Sequence, residues 1–124
     1  MKKYTDEWNR AKDFLKAARA NIEIKDIKTV ANREYFAMER AVVVALLIEN
    51  KRAPKNHKEI WEMSRYLDLG INIHELMRRL YDLRLQADYG KIPNIVELNE
   101  QNVKYYLDKI ELIMKKIKEK YNIE

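Results

Sequence analysis

Apolar residues recur along much of the chain at steps of three and four, the spacing that places them on one face of an α-helix. Between Thr5 and Ile22 this pattern predicts a first helix, with Thr5 as its cap and acidic side chains in its first turn. A second, longer helix is predicted from a cap at Asp26 to about Asn50, shortly before Pro54. Both helices carry a continuous apolar stripe and are expected to pack into a core.

Three further helices follow from the same periodicity. Asn56 caps the third, which is predicted to run towards a stop at Gly70, and Asn72 caps the fourth, which ends at Gly90. The fifth is predicted to begin between positions 94 and 99 and keeps the alternating four-three spacing of a helix-bundle seam. Short connections between such helices favour antiparallel neighbours.

Composition supports helices rather than strands. The 124 residues include only 2 Gly and 2 Pro, and 36% of them are charged, as expected for helices with solvated outer faces. The predicted fold is therefore all-α: one domain over residues 1–124, an antiparallel up-and-down bundle of about five helices. With 0 Cys and no apolar stretch near the N-terminus, a cytoplasmic location is expected.

One segment of the second predicted helix, Ala41–Ile48, is apolar on every side. It is too short to span a bilayer, which takes roughly 20 residues. A helix that is apolar all round must be covered all round, so this segment lies at the bundle centre, forms an oligomer interface, or does both. We expect both roles, with Val43, Val44 and Leu47 forming a homodimer interface.

The predicted alternation of helices brings basic residues together. It places the end of the second helix, the starts of the third and fifth, and the end of the fourth at one pole of the bundle. A net charge of +5 permits an anionic partner such as RNA. Four cations of this pole are candidate phosphate or RNA ligands: Arg52, Lys55, Lys58 and Lys91. The same pole is expected to hold Lys51, His57, Arg84 and Tyr89.

No strong catalytic or cofactor motif is present. The sequence has no glycine-rich phosphate loop, no nucleophile elbow and no paired histidines at metal-ligand spacing. His57 and His74 are the only histidines, and without Cys they do not make a metal site. We therefore expect no metal and no cofactor, with His74 as a solvated first-turn residue.

Three segments carry a family resemblance. They are Tyr35-Phe36-Ala37-Met38 leading into Ala45-Leu46-Leu47-Ile48, then Pro54-Lys55-Asn56-His57, then Leu83-Arg84-Leu85-Gln86-Ala87-Asp88-Tyr89-Gly90. In this order, and followed by a long amphipathic helix, they resemble the HEPN superfamily, the higher-eukaryote and prokaryote nucleotide-binding domains. The resemblance covers nearly the whole chain.

The resemblance implies an antiparallel helical bundle, often dimeric and frequently paired with a small nucleotidyltransferase in toxin–antitoxin or defence systems. Active members are metal-independent ribonucleases whose motif is an Arg followed a few residues later by a His, with the motifs of two subunits facing one cleft. Arg84 matches the Arg. The His is missing, because Tyr89, Gly90 and Lys91 occupy the positions where it is expected.

Roles for the motif residues follow from helix geometry. Arg84 and Tyr89 point about 140° apart on a regular helix, whereas Asp88 shares the face of Arg84. One interpretation is an Arg84–Asp88 ion pair, with Tyr89 packing over the end of the bundle. In the other, Asp88 orients Arg84 towards a phosphate, and His57 or Tyr89 handles the proton.

Two functional hypotheses remain open from the sequence. The first is a protein that binds RNA or a nucleotide at the basic pole, with metal-independent cleavage as its activity if it is an enzyme. The second is a non-catalytic interaction module that forms a homodimer or docks a partner such as a nucleotidyltransferase, for which the missing His is expected.

Overall fold

The computed structural model describes residues 4–49 and 52–123. This part of the chain forms five α-helices: α1 Thr5–Glu23, α2 Ile27–Ile48, α3 His57–Ser64, α4 Ile73–Tyr89 and α5 Glu100–Lys120. The predicted all-α class and the number of helices are confirmed. The predicted end of the second helix, near Asn50, lies outside the described residues.

Most of the helix ends lie where local chemistry predicts them. The side chains of Asp26, Asn56 and Asn72 each accept a hydrogen bond from a backbone N–H three residues later. Gly90 caps α4 in the left-handed conformation, with φ of 64°. The prediction for Thr5 is wrong, because this residue is already helical and the cap position before it makes no side-chain hydrogen bond.

The third helix is shorter than predicted. It ends at Ser64, and the chain reaches Gly70 through turns rather than as helix. A helix of eight residues is too short to run the length of the bundle. The segment therefore packs against α2 and α4 without adding a full-length helix to the bundle.

Hydrogen bonds between helices fix their directions. Arg40 of α2 pairs with Glu7 of α1 at 2.9 Å, which sets these two helices antiparallel. Asn32, near the start of α2, donates to Asp88, near the end of α4, at 2.9 Å. Lys120, at the end of α5, donates to a backbone carbonyl in the segment before α4 at 2.7 Å. The four long helices consequently run up, down, up and down, as the predicted class requires.

The basic pole predicted from strict alternation of five helices does not form. Because α3 is too short to span the bundle, α4 runs antiparallel to α2, and the end of α4 meets the start of α2. The opposite end of α2 lies beside the end of α5, where Tyr121 donates a hydrogen bond to Glu49. Arg52 and Lys91 therefore belong to different regions of the molecule, and Lys51 lies outside the described residues.

Helix α2 is the centre of the bundle and packs against every other described helix. Val43 is 7% exposed and Val44 is 0% exposed within the single chain, whereas Leu47 is partly buried. The assignment of Val43 and Val44 to a dimer interface is wrong, because the chain's own core already covers them. This part of α2 therefore lies at the centre of the bundle, which is the first of the roles predicted for it. Self-association through another surface stays a prediction.

No helix in the described ranges is both long and apolar enough to cross a membrane.

Candidate functional site

A buried carboxylate on α2 organises the candidate site. Glu39 is only 2% exposed, yet its two oxygens have several donors. The Tyr35 hydroxyl donates to Glu39 Oε2 at 2.6 Å, and a guanidinium nitrogen of Arg40 donates to Oε1 at 3.1 Å. His57 Nδ1 is a third hydrogen-bond partner, again at Oε2. Buried charge is tolerated when it is paired in this way.

This network defines the state of the imidazole of His57. Burial, and then the hydrogen bond to Glu39, raise the pKa of Tyr35, so its hydroxyl keeps its proton and donates it. With the carboxylate of Glu39 as acceptor, His57 Nδ1 carries a proton, which leaves Nε2 as the ring nitrogen able to accept one. The His57 side chain is 45% exposed, so this nitrogen has access to solvent-borne ligands.

Local structure explains how His57 reaches α2. The segment after α2 turns back, and the side chain of Asn56 caps α3 by accepting from the backbone N–H of Glu59 at 3.0 Å. His57 is the first residue of α3 and thereby lies beside the middle of α2. Trp61, one turn later, donates its indole N–H to the Tyr35 hydroxyl at 3.1 Å and fastens α3 to the same network.

Arg84 lies against the same group of aromatic rings as His57. Its guanidinium carbon is 4.8 Å from the centroid of the Phe36 ring, 5.6 Å from that of Tyr35 and 5.8 Å from that of Tyr81. The centroid of the His57 ring lies 5.9 to 6.4 Å from the same three rings. We call this arrangement the His57–Arg84 site: Tyr35, Phe36, Glu39, His57, Tyr81 and Arg84.

The predicted ion pair between Arg84 and Asp88 is confirmed. Arg84 Nε donates to Asp88 Oδ2 at 3.1 Å, and Asn32 of α2 donates to the same oxygen at 2.9 Å. The Arg84 side chain is only 13% exposed. Within the described residues its two Nη atoms make no hydrogen bond, so they keep donors for an anion while Asp88 holds the Nε edge.

Tyr89 does not join this site. Helix α4 continues through Tyr89 to the cap at Gly90, so the geometry of a regular helix applies and Tyr89 points away from Arg84. Its side chain is exposed rather than packed over the end of the bundle. Lys91 is also exposed, beyond the cap, and does not lie beside His57.

The other candidate cations divide into two groups. Lys55 and Lys58 each border a surface cavity that His57 also borders. Arg52 instead forms an ion pair with Glu59 at 2.7 Å, and its basic side chain is thereby partly neutralised. Of the residues that the sequence singled out, the structure therefore brings His57 and Arg84 to one set of rings, with Asp88 bonded to Arg84 and the two lysines on separate cavities beside His57.

Two members of the surrounding network were not predicted. Glu39 interrupts a largely apolar helix four residues after Tyr35, a spacing that places both side chains on one face. That interruption is the signal from which Glu39 could have been found. Asn32 has no comparable signal, because its contact with Asp88 depends on α4 being antiparallel to α2.

The two histidines have different surroundings. His74, in the first turn of α4, is half-buried rather than fully solvated, and Arg65 donates to its Nε2 at 3.0 Å. Burial lowers the pKa of His74, and Arg65 and Arg78 lower it further, so its ring is neutral. Across the described residues, no group of three or more His, Cys, Asp or Glu side chains is placed to hold a metal ion.

Comparison with known proteins gives one positive result. No curated protein matches the chain. A protein-family model described as the HEPN domain matches residues 4–120, which is nearly the whole sequence and includes all five helices. This chain belongs to the HEPN domain family.

Proposed function

We propose that this protein acts in the cytoplasm as a metal-independent ribonuclease, with single-stranded RNA as the substrate of the His57–Arg84 site. The observation that best supports this proposal is that Glu39 holds His57 against the same aromatic rings that Arg84 contacts. Membership of the HEPN domain family supports a nucleotide-related or RNA-related role. The absence of Cys supports a reducing compartment.

The proposed reaction needs a base and a group that stabilises phosphate charge. His57 Nε2 takes the proton of a ribose 2′-hydroxyl, and the 2′-oxygen attacks the adjacent phosphorus. A bond forms between the 2′-oxygen and phosphorus, and the bond from phosphorus to the 5′-oxygen of the next nucleotide breaks. That 5′-oxygen takes a proton from solvent. The products are a 2′,3′-cyclic phosphate and a 5′-hydroxyl, and no metal enters the step.

Each side chain has a distinct task in this reaction. Glu39 keeps His57 in the tautomer with the proton on Nδ1 and stabilises the imidazolium that forms, as the acid does in an Asp-His pair. Arg84 offers its two Nη donors to the phosphate oxygens on which charge develops. Asp88 and Asn32 fix the orientation of Arg84, and Asp88 therefore acts as a positioning residue.

The decisive experiment incubates purified protein, in excess chelator, with a mixed-sequence single-stranded RNA. We expect cleavage that leaves 2′,3′-cyclic phosphate ends and that stops when the RNA is 2′-O-methylated. His57→Gln and Arg84→Ala should each slow cleavage by at least about 100-fold. Absence of cleavage by the wild-type protein, or cleavage that persists in His57→Gln, would overturn the proposed mechanism.

Matched controls come from the same helices. His74→Gln removes the other histidine, which pairs with Arg65 and not with a carboxylate, and should not reproduce the loss of cleavage expected for His57→Gln. Arg79→Ala removes an exposed arginine of α4 that pairs with Glu75 at 3.1 Å, outside the site. Equal losses in these controls would mean that general basicity, not the site, is responsible.

Two cellular predictions accompany the proposal. A ribonuclease of a toxin–antitoxin or defence system should arrest the growth of a bacterial host when it is expressed, and Arg84→Ala should relieve the arrest. Co-expression with a neighbouring nucleotidyltransferase-like protein should also relieve it. Binding of such a partner without any cleavage would favour the non-catalytic interaction module.

A homodimer is also proposed, since two facing sites would act on one strand. The covered residues Val43 and Val44 cannot form its interface, which leaves exposed surfaces of the bundle. Light scattering of the purified protein measures the mass directly. A mass of one chain at high protein concentration would contradict the dimer.

A further inference from the structure

A groove beside His57 opens between α3 and α4. Its volume is about 560 Å³, inside the range of about 300 to 1,000 Å³ that is usual for small-ligand sites. Trp61 and Tyr81 form part of its wall, with their ring centroids 4.7 Å apart in an edge-to-face arrangement. Both side chains remain partly accessible, so the groove offers aromatic surface to a flat ligand.

Positive charge surrounds this aromatic wall. Lys58 borders the groove and makes no hydrogen bond or ion pair with any described residue. Arg65 donates to the ring of His74, which is neutral, so this contact leaves the charge of Arg65 uncompensated. Both cations are therefore available to an anionic ligand.

A third cation completes the set. Arg78 borders the groove and pairs at 2.9 Å with Glu75, an acid that it shares with Arg79. Glu62 is the one acidic side chain among the described residues that border the groove. Lys58, Arg65 and Arg78 outnumber Glu62 and the shared Glu75, so the balance favours an anion, and such surface pairs are weak enough to be exchanged for a phosphate.

We propose that this α3–α4 groove binds a nucleoside phosphate, either free or as one unpaired nucleotide of an RNA strand. The base contacts the rings of Trp61 and Tyr81, and the phosphate is held by the cations on either side. His57 also borders the groove, so a strand bound there passes the imidazole. The inference rests on the proposed function and adds where the RNA strand lies relative to His57, the proposed general base.

Trp61 itself reports on occupancy of the groove. The chain has 2 Trp, and the other, Trp8, is buried in the core, so a Trp8→Phe protein has Trp61 as its single tryptophan, which can be excited selectively. We expect saturable quenching by a 2′-O-methylated RNA tetranucleotide, which cannot be cleaved. Titration with 5′-AMP distinguishes a site for free nucleotides from one that needs a strand, and inorganic phosphate should not quench.

Charge variants test the location. The double variant Arg65→Ala and Arg78→Ala should weaken binding of the quenching ligand by at least about tenfold, with a smaller dependence on salt. Arg79→Ala lies on the same helix outside the groove and is the matched control, with no change expected. If neither the tetranucleotide nor 5′-AMP quenches the fluorescence of Trp61, or if the double variant binds with equal affinity, the proposal that this groove binds nucleotides is wrong.

The outcome also separates this inference from the proposed ribonuclease. Quenching of Trp61 by a protein that never cleaves RNA would support the groove and reject the catalytic proposal. RNA cleavage that depends on His57 and Arg84, but occurs without any response of Trp61 to the uncleavable strand, would reject the groove and leave the catalytic proposal standing.

Discussion

Two acids on one helix, Glu34 and Glu39, show how differently a buried carboxyl group can be accommodated. Both are essentially inaccessible, at 0% and 2% exposure. Glu39 has hydrogen-bond donors from three side chains, one of which is the half-exposed His57. Neither side-chain oxygen of Glu34 has a hydrogen-bond partner among the described residues. Burial raises the pKa of Glu34 well above its usual range, so Glu34 favours the neutral form.

The difference teaches that burial alone does not mark a functional acid. An acid without donors is held neutral at a cost in stability and has no route by which it can act on a ligand. Glu39 is instead connected, through His57, to a ring nitrogen at the surface. Four predictions test this comparison, and the first adds a third buried acid, Asp82, whose partners are mostly backbone amides.

Asp82→Ala is expected to have the largest effect. Asp82 accepts hydrogen bonds from the backbone N–H groups of Asn94, Ile95 and Val96 and thereby holds the connection between α4 and α5. Removing it leaves several partly buried backbone donors unpaired, so the free energy of unfolding should fall by about 3 kcal/mol in urea titrations. The exposed Asp13→Ala is the control, and a loss for Asp82→Ala as small as that of the control would contradict this role.

Glu34→Leu is expected to stabilise the protein, in contrast to the usual effect of a core substitution. It replaces a buried polar group without a partner by an apolar one of similar size, a gain of roughly 2 kcal/mol in the free energy of unfolding near neutral pH. Chemical unfolding measures it. Glu34→Gln keeps a polar group in the core and should gain less. A destabilised Glu34→Leu protein would show that Glu34 has a stabilising partner after all.

The pH dependence of the same variant sharpens the test. A carboxyl group whose pKa is raised by folding binds its proton more tightly in the folded state, so the contribution of Glu34 to stability is most favourable below the ordinary glutamate pKa. From the ordinary glutamate pKa up to the raised one, this group lowers the free energy of unfolding by at most about 1.4 kcal/mol per pH unit. Glu34→Leu should lack this slope, and identical slopes in the two proteins would contradict the assignment.

Glu39→Gln is expected to have the smallest effect on stability and a clear one on His57. The amide keeps the shape of the side chain but places an N–H donor next to other donors. The free energy of unfolding should therefore fall by about 1 kcal/mol. The tautomer with the proton on Nδ1 should lose population, and ¹⁵N NMR of the imidazole measures this. Glu23→Gln, at an exposed position, is the control. An unchanged tautomer population in Glu39→Gln would contradict the role of Glu39 in positioning His57.

Comparison of the expected and observed folds shows where local patterns suffice. Asp26, Asn56 and Asn72 were predictable as caps because a cap depends on residues within one turn. The Arg84–Asp88 pair was predictable for the same reason, since both residues lie on one helix. The direction of α4 was not, because it depends on α3 being too short to span the bundle and reverse the chain direction once more.

The sequence by itself determined five helices, most of their ends, the apolar centre of α2 and the one arginine of the HEPN-like motif, because each of these depends on residues close together in the chain. Only the tertiary structure decided that His57 lies on Glu39 and shares a set of rings with Arg84. These contacts join three different helices, and they exist only once the packing of the core has fixed the position of each helix.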